Sequence, residues 1–261
     1  MSKNIFELSQ QLQNDGVVLV KKLHSDEAIE QITQAIDENF NNPSAFGHEM
    51  KSENGSFFMD FNNWRRFKSI RSICEKPYVI ELILKLTNTS DCWLFHDHLL
   101  IKSGYAPATP WHHDRPYYLV KGESNLSVWT PTGDVGKDDG MVFLRGSHKS
   151  GALYAPNSFR TGEALGSSDN FKAIDDDLLQ QYDHLSFSME KGDSLIFFNK
   201  TVHGAKEHTN PFERKSLSVR YLLGDPRLTK NYLNATPPFD RMGLIVEEDA
   251  SLPEKFFPKL A

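Results

Sequence analysis

In Thr109-Pro110-Trp111-His112-His113-Asp114-Arg115-Pro116, a histidine and an acid stand two apart, His112 and Asp114. Side chains at i and i+2 of an extended strand point the same way, so this pair can hold one ion from one side. Far down the chain a lone histidine, His203, follows the apolar strand of Phe197-Phe198-Asn199-Lys200-Thr201-Val202-His203-Gly204. A histidine from a distant strand can close the same face. Two imidazoles and one carboxylate leave about three positions free on an octahedral ion, the ligand set of non-haem Fe(II) oxygenases.

Outward from these strands the pattern is β. Trp93, Phe95, Leu99 and Ile101 alternate with other residues, which is strand spacing. Further strands fit 109–114, 125–131, 141–145, 185–189, 194–198 and 215–223, with turn signals at Gly133 to Gly140, Gly146-Ser147 and Gly192-Asp193. Residues 151–184 form a long insertion between two strands. The beginning of the chain reads differently. Ile5, Leu8 and Leu12 repeat at helical spacing over 4–14, and Asp15-Gly16 stops them. Val17-Val18-Leu19-Val20 is a short strand. Ser25 can cap a helix through Ala28, Ile29, Ile32 and Ile36. A further helical stretch breaks at Lys76-Pro77 and resumes through Val79, Leu82, Ile83 and Leu86.

Residues 41–63 are polar with interleaved Phe and read as a long loop. Extended to 41–66, with Phe57, Phe58, Phe61, Trp64, Arg65 and Arg66, this loop is the candidate lid or substrate wall. Helices first and many short strands afterwards predict a mainly β sandwich or barrel with helices packed outside. One domain spans 1–261, with a helical N-terminal region over 1–88, a β core over 89–225 and a Pro-rich, irregular tail over 226–261 wrapped around the outside.

Composition narrows the function classes. With 39% hydrophobic and 25% charged residues, 261 residues can bury a full core without disulfides. The net charge of −6 and the lack of a basic run longer than Arg65-Arg66 give no general attraction to phosphate backbones, so nucleic acid is not an expected partner. Cys74 and Cys92 sit in apolar segments and read as buried reduced thiols. No apolar run reaches the ~20 residues of a membrane span, and Met1-Ser2-Lys3-Asn4-Ile5-Phe6-Glu7 lacks a signal-peptide core. A cytoplasmic protein acting on a small molecule is the expectation; the sequence assigns no oligomeric state.

Rival ligands need weighing. His96 and His98 in His96-Asp97-His98 share a strand face and could bind metal themselves. Trp93, Phe95, Asp97, Leu99 and Ile101 share the other parity, which claims the core, so the two histidines read as structural or as a pocket wall. His113 points away from an ion held by His112 and Asp114. His148 and His208 read as loop residues. Two histidines and a carboxylate also suit catalytic zinc. Arg214 tips the balance: a 2-oxoglutarate oxygenase needs a planar cation for the far carboxylate of its cosubstrate. Arg220, on the same strand, is the fallback anchor.

At these residues the chain resembles the phytanoyl-CoA dioxygenase family of Fe(II)/2-oxoglutarate oxygenases, which includes ectoine hydroxylase and several natural-product hydroxylases. The likeness runs over roughly 10–225 and is densest in His96-Asp97-His98-Leu99-Leu100-Ile101-Lys102, Thr109 to Asp114, Leu126-Ser127-Val128-Trp129, Phe143-Leu144-Arg145-Gly146-Ser147-His148-Lys149, Lys191-Gly192-Asp193 and His203-Gly204. It implies a double-stranded β-helix, or jelly roll, over 89–225 with iron at one open end. It carries the metal roles onto His112, Asp114 and His203 and the 2-oxoglutarate anchor onto Arg214. Lys102 and Trp129 are implied to line the cosubstrate pocket. Two positions depart from the family: Ala205 replaces a small hydroxyl residue, and His113 stands where glutamine is frequent. The intact Asp114 argues against a related halogenase, which gives up the acid for chloride.

The resemblance implies a hydroxylase that uses Fe(II), 2-oxoglutarate and O2, releasing succinate and CO2. A fatty acyl-CoA would want a basic cluster that the chain lacks, so a small polar or anionic metabolite is the preferred substrate, with Arg65, Arg66 or Arg115 as candidate anion binders. Acyl-CoA or natural-product hydroxylation, a non-catalytic metal- or 2-oxoglutarate-binding module and a zinc hydrolase are the alternatives.

Overall fold

The structure is a computed structural model that describes residues 4–155, 171–232 and 235–261. Asn4 opens α1 (Ile5–Asp15) with a capping box: its side chain accepts from the Glu7 N–H, and the Glu7 carboxylate accepts from the Asn4 N–H. Gly16 ends the helix at a φ of 82°, where a Cβ would lie 2.5 Å from His148 Nδ1; only glycine suits both demands. β1 (Val17–Val20) follows, then α2 (Asp26–Asn41), capped by Ser25 as its sequence predicts. Next come β2 (His48–Lys51), β3 (Gly55–Phe61), α3 (Lys68–Cys74) and α4 (Pro77–Thr87), the last begun by a proline whose missing N–H costs nothing there. The remaining elements are β4 (Cys92–Gly104), β5 (Thr109–His112), β6 (Val120–Lys121), β7 (Leu126–Pro131), β8 (Met141–Leu144), α5 (Asp176–Gln180), β9 (His184–Ser186), β10 (Ser194–Phe198), β11 (His203–Ala205), β12 (Arg214–Leu223) and β13 (Arg227–Leu228).

The strands form a seven-stranded sheet, β1-β10-β7-β12-β4-β3-β2, and a four-stranded sheet, β5-β11-β8-β9, with β13-β6 as a separate pair. Along the chain β4, β7, β10 and β12 belong to the large sheet and β5, β8 and β11 to the small one. That alternation is the expected double-stranded β-helix. The helices cover one face of the large sheet: Leu12, Ile29, Ile32, Ile36 and Ile83 pack on Leu99, Val128, Ile196 and Val219. A second cluster, Val17, Trp129, Phe143, Leu195 and Phe197, fills the space between the sheets. Cys74 and Cys92 are buried and free. No helix among the described residues is long and apolar enough to cross a membrane.

Three sequence expectations change. Residues 41–63 are not a loop, because they carry the hairpin β2–β3, which extends the large sheet beyond β4. β2 is an exposed edge strand of polar composition, so it lacks the alternation that marks a half-buried strand. The described part of the N-terminal region, 4–88, therefore combines helices with three strands of the large sheet. Next, the parity of β4 reverses midway. Tyr221 pairs with Leu94 and Arg220 with His96, leaving Phe95 as a bulged residue. Leu94, Leu99 and Ile101 thus share the helix-covered face, whereas Trp93 and Phe95 pack against the tail. Finally, the strand expected over 109–114 ends at His112. Of the insertion 151–184, residues 156–170 lie outside the described residues.

Candidate metal centre

His112 is the last residue of β5 and pairs directly with His203, the first of β11. Asp114 arrives from the turn that follows, where its N–H and that of Arg115 both donate to the Asn199 carbonyl. The turn, not strand periodicity, aims the carboxylate back at the histidines. The three side chains are buried, and one ligand atom from each lies within 4.8 Å of the others. Asp114 Oδ1 is 3.7 Å from His112 Nε2 and 4.0 Å from His203 Nε2.

The donor chemistry fits a divalent metal ion. His112 Nδ1 lies 2.8 Å from the Pro110 carbonyl, and His203 Nδ1 lies 2.9 Å from the Thr201 carbonyl. A carbonyl only accepts, so each Nδ1 carries the hydrogen and each Nε2 presents its lone pair toward Asp114. Burial lowers the His112 pKa to about 3 and also lowers that of His203. Both rings are neutral at pH 7, as ligation requires. Asp114 stays ionised. Burial alone would raise its carboxyl, but the Arg220 guanidinium and the Tyr118 hydroxyl hold it well below the usual carboxylate range. Tyr118 donates to Oδ2 at 3.0 Å and Ser127 at 3.3 Å, leaving Oδ1 for the centre.

The three ligands lie on the wall of a cavity of about 390 Å³, within the range of small-molecule sites. Lys102, Trp129 and Arg214 line the same cavity. Arg214 and Lys102 are direct partners across β12 and β4. Burial, with Arg214 beside it, lowers the Lys102 ammonium to about 7. Arg214 Nη1 is 3.5 Å from Asp139 Oδ1, and the same oxygen lies 2.5 Å from His208 Nδ1. His208, expected in a loop, lies between β11 and β12, where it is buried and ties the segments around Asp139 and Phe212 together.

Other expected residues fall elsewhere. Arg65 donates to the carbonyls of Lys255 and Phe256, Arg66 to Asn63 and Asn42, and Arg115 to the carbonyls of Tyr118 and Asn231. None of the three lines the cavity. Trp64 belongs to the helix-covered core. His113 points away, accepting from the Tyr154 N–H. His96 and His98 do stand on the cavity wall, as does Arg220. The hairpin supplies Met50, Phe57, Met59 and Phe61 to the cavity wall. Tyr118 and Asp139 escaped the sequence reading: each acts through a partner brought close only by the fold.

A jelly roll with two histidines and one carboxylate facing a cavity between its sheets defines a cupin-like metal-dependent class. The chain belongs to the phytanoyl-CoA dioxygenase (PhyH) family, whose model matches residues 12–216. None of the curated proteins compared with it matches. Among solved structures, it resembles the epimerase SnoN from a complex with Fe3+, alpha ketoglutarate and nogalamycin RO, at 17% identity and a TM-score of 0.76, covering 98% of each chain. The alpha ketoglutarate-dependent carbocyclase SnoK from nogalamycin biosynthesis is similar over 100% of both chains, at 16% identity and a TM-score of 0.78. EctD from S. alaskensis, in its apoform, aligns at 15% identity and a TM-score of 0.70, over 94% of this chain and 85% of that one.

Proposed function

We propose that this protein is an Fe(II)- and 2-oxoglutarate-dependent dioxygenase that hydroxylates an aliphatic C–H of a small polar or anionic metabolite. One observation carries the reading: the His112/Asp114/His203 face shares its cavity with the Arg214–Lys102 pair. Fe(II) held there with 2-oxoglutarate and O2 supplies an oxidant able to take hydrogen from an unactivated C–H, with release of succinate and CO2. The protein's own role is to hold, orient and exclude water. His112, Asp114 and His203 hold the metal on one side and leave the cavity side free. Arg214 offers a planar fork to the far carboxylate of the cosubstrate, Lys102 a second cation and Trp129 an apolar wall. Ala205 has no hydroxyl, but its strand partner Thr109 and the Arg214 neighbour Ser216 line the same cavity and can donate in its place.

Anaerobically reconstituted protein, given Fe(II), ascorbate, 2-oxoglutarate and air, is expected to form succinate. His112→Ala and Asp114→Ala are expected to lose it, and a chelator to stop it reversibly. Succinate formation untouched by either substitution would refute the assignment. Relatives of the same fold are described as an epimerase and a carbocyclase, so mass analysis for one added oxygen is what distinguishes hydroxylation from those outcomes.

A further inference from the structure

The cavity wall beside Asp114 carries polar atoms that the metal centre does not use. His96 and His98 on β4 pair with Arg220 and Ser218 on β12, making a two-by-two patch on one face of the sheet. All four residues line the cavity. His96 Nε2, His98 Nε2, Ser218 Oγ and Arg220 Nη1 are each buried with no hydrogen-bond partner among the described residues. His96 is 2% exposed and Arg220 8%. Leaving a buried polar atom unpaired costs about 1–3 kcal/mol, more for a charged group, so four on one small patch mark a place built for something else to bind.

Arg220 is anchored from behind. Its Nε donates to the Tyr118 hydroxyl at 2.7 Å and lies 3.5 Å from Asp114 Oδ2, which fixes the guanidinium of this cavity-lining residue and leaves its buried Nη1 without a partner among the described residues. His96 offers the opposite function. Its Nδ1 lies 3.0 Å from the Asp97 carbonyl, so Nδ1 carries the hydrogen and Nε2 is an acceptor. Phe61 stands edge-on to both imidazoles, at 6.3 and 5.9 Å between ring centroids, and supplies an apolar neighbour. Arg214 and Lys102 sit together further along β12 and β4, so the patch is separate from that pair of cations.

We propose that His96, His98, Ser218 and Arg220 form the head-group site of the substrate. It would take a carboxylate on Arg220, flanked by a hydroxyl or amino group that donates to His96, with the apolar body of the molecule against Phe61. This rests on the dioxygenase reading and names the substrate class for it.

The test is calorimetric titration of anaerobic protein saturated with Fe(II) and 2-oxoglutarate. The probes are hexanoate, 3-hydroxyhexanoate and the uncharged 3-hydroxyhexanamide. The hydroxy acid is expected to bind about tenfold or more tighter than its amide and several-fold tighter than hexanoate, as a charge-assisted and a neutral hydrogen bond would give. Arg220→Gln removes the preference for acid over amide, and His96→Phe removes the preference for the hydroxyl. Ser218→Ala, the mildest change, weakens the hydroxy acid several-fold. Equal binding of acid and amide, no binding of either, or a preference that survives Arg220→Gln overturns the site. Loss of 2-oxoglutarate binding in Arg220→Gln also overturns it, making Arg220 the cosubstrate anchor. Titration of 2-oxoglutarate into the wild type keeps the two readings apart: its failure there counts against the dioxygenase, whatever the probes do.

Discussion

Lys102 is the residue whose charge the fold leaves in the balance. Its ammonium, only 3% exposed and beside Arg214, titrates near 7, and its Nζ donates to the Pro107 carbonyl. Under the proposed role of Lys102, a cosubstrate carboxylate next to Nζ would raise that value again, and binding would take up a proton between about pH 7 and the raised pKa. The sign follows. Affinity for 2-oxoglutarate falls as pH rises through this window, by about tenfold per pH unit at most, and Lys102 adds no pH dependence below it. Calorimetry on the metal-loaded protein from about pH 6 to about pH 9 checks this. In Lys102→Met the slope is lost and binding is weaker at pH 7. A slope that persists in the variant assigns the titration to another group. At this scale the sequence was most informative where a histidine and an acid stand two apart beside Pro110 and Trp111, as His112 and Asp114 do. It was silent on Tyr118, whose hydroxyl matters only because the fold sets it on Asp114.

Among the elements, β4 does the most for the site, and Asp97 shows how. The bulge at Phe95 turns His96 and His98 to the cavity and Asp97 to the helix side. There the Asp97 carboxylate accepts from the Trp64 N–H at 2.7 Å and the Asn63 N–H at 3.1 Å, fastening the turn after β3 to the strand. Asparagine at this position keeps the volume but turns an NH2 toward one of those donors. Asp97→Asn is expected to destabilise the protein by about 1–3 kcal/mol in urea unfolding. Burial, opposed by the two backbone donors, pushes the Asp97 carboxyl up to about 6. A raised folded-state value gives stability that is complete below the unfolded-state pKa and lost as pH rises through about 6. The stability gap between wild type and variant is therefore wider near pH 5 than near pH 8; a gap that widens with pH contradicts it. α2 was legible because it buries a regular stripe, and β7 and β10 because each is a short run buried along its whole length. Periodicity could not read β2, an exposed edge, nor the bulge in β4, where the repeat changes phase without any change in composition.

Across the whole molecule, the irregular tail reaches the metal centre through a chain of aromatic rings. Residues 226–261 lack the periodicity that would reveal what the tail packs on. Phe257, fully buried, lies 5.7 Å from Phe95 and 5.1 Å from Phe239 between ring centroids. Phe95 lies 4.5 Å from Tyr118, which donates to Asp114 and accepts from Arg220. The last residues also pair with the start of β4, as the Cys92 N–H donates to the Ala261 carbonyl and the Leu260 N–H to that of Cys92. Phe257→Ala removes a ring from the middle of this cluster, and a Phe-to-Ala cavity typically costs about 3–5 kcal/mol. The urea midpoint should fall accordingly. Freed from its packing, Phe95 can yield, and Tyr118 with it. Loss of a group that orients a metal ligand typically costs about 10–100-fold in metal affinity. The folded variant, at a temperature well below its melting point, is thus expected to bind Fe(II) more weakly than wild type. Tyr118→Phe should reproduce the metal defect with a much smaller loss of stability. If Phe257→Ala unfolds more easily yet binds Fe(II) as tightly as wild type, the tail is a structural brace alone and the coupling through Phe95 and Tyr118 is absent.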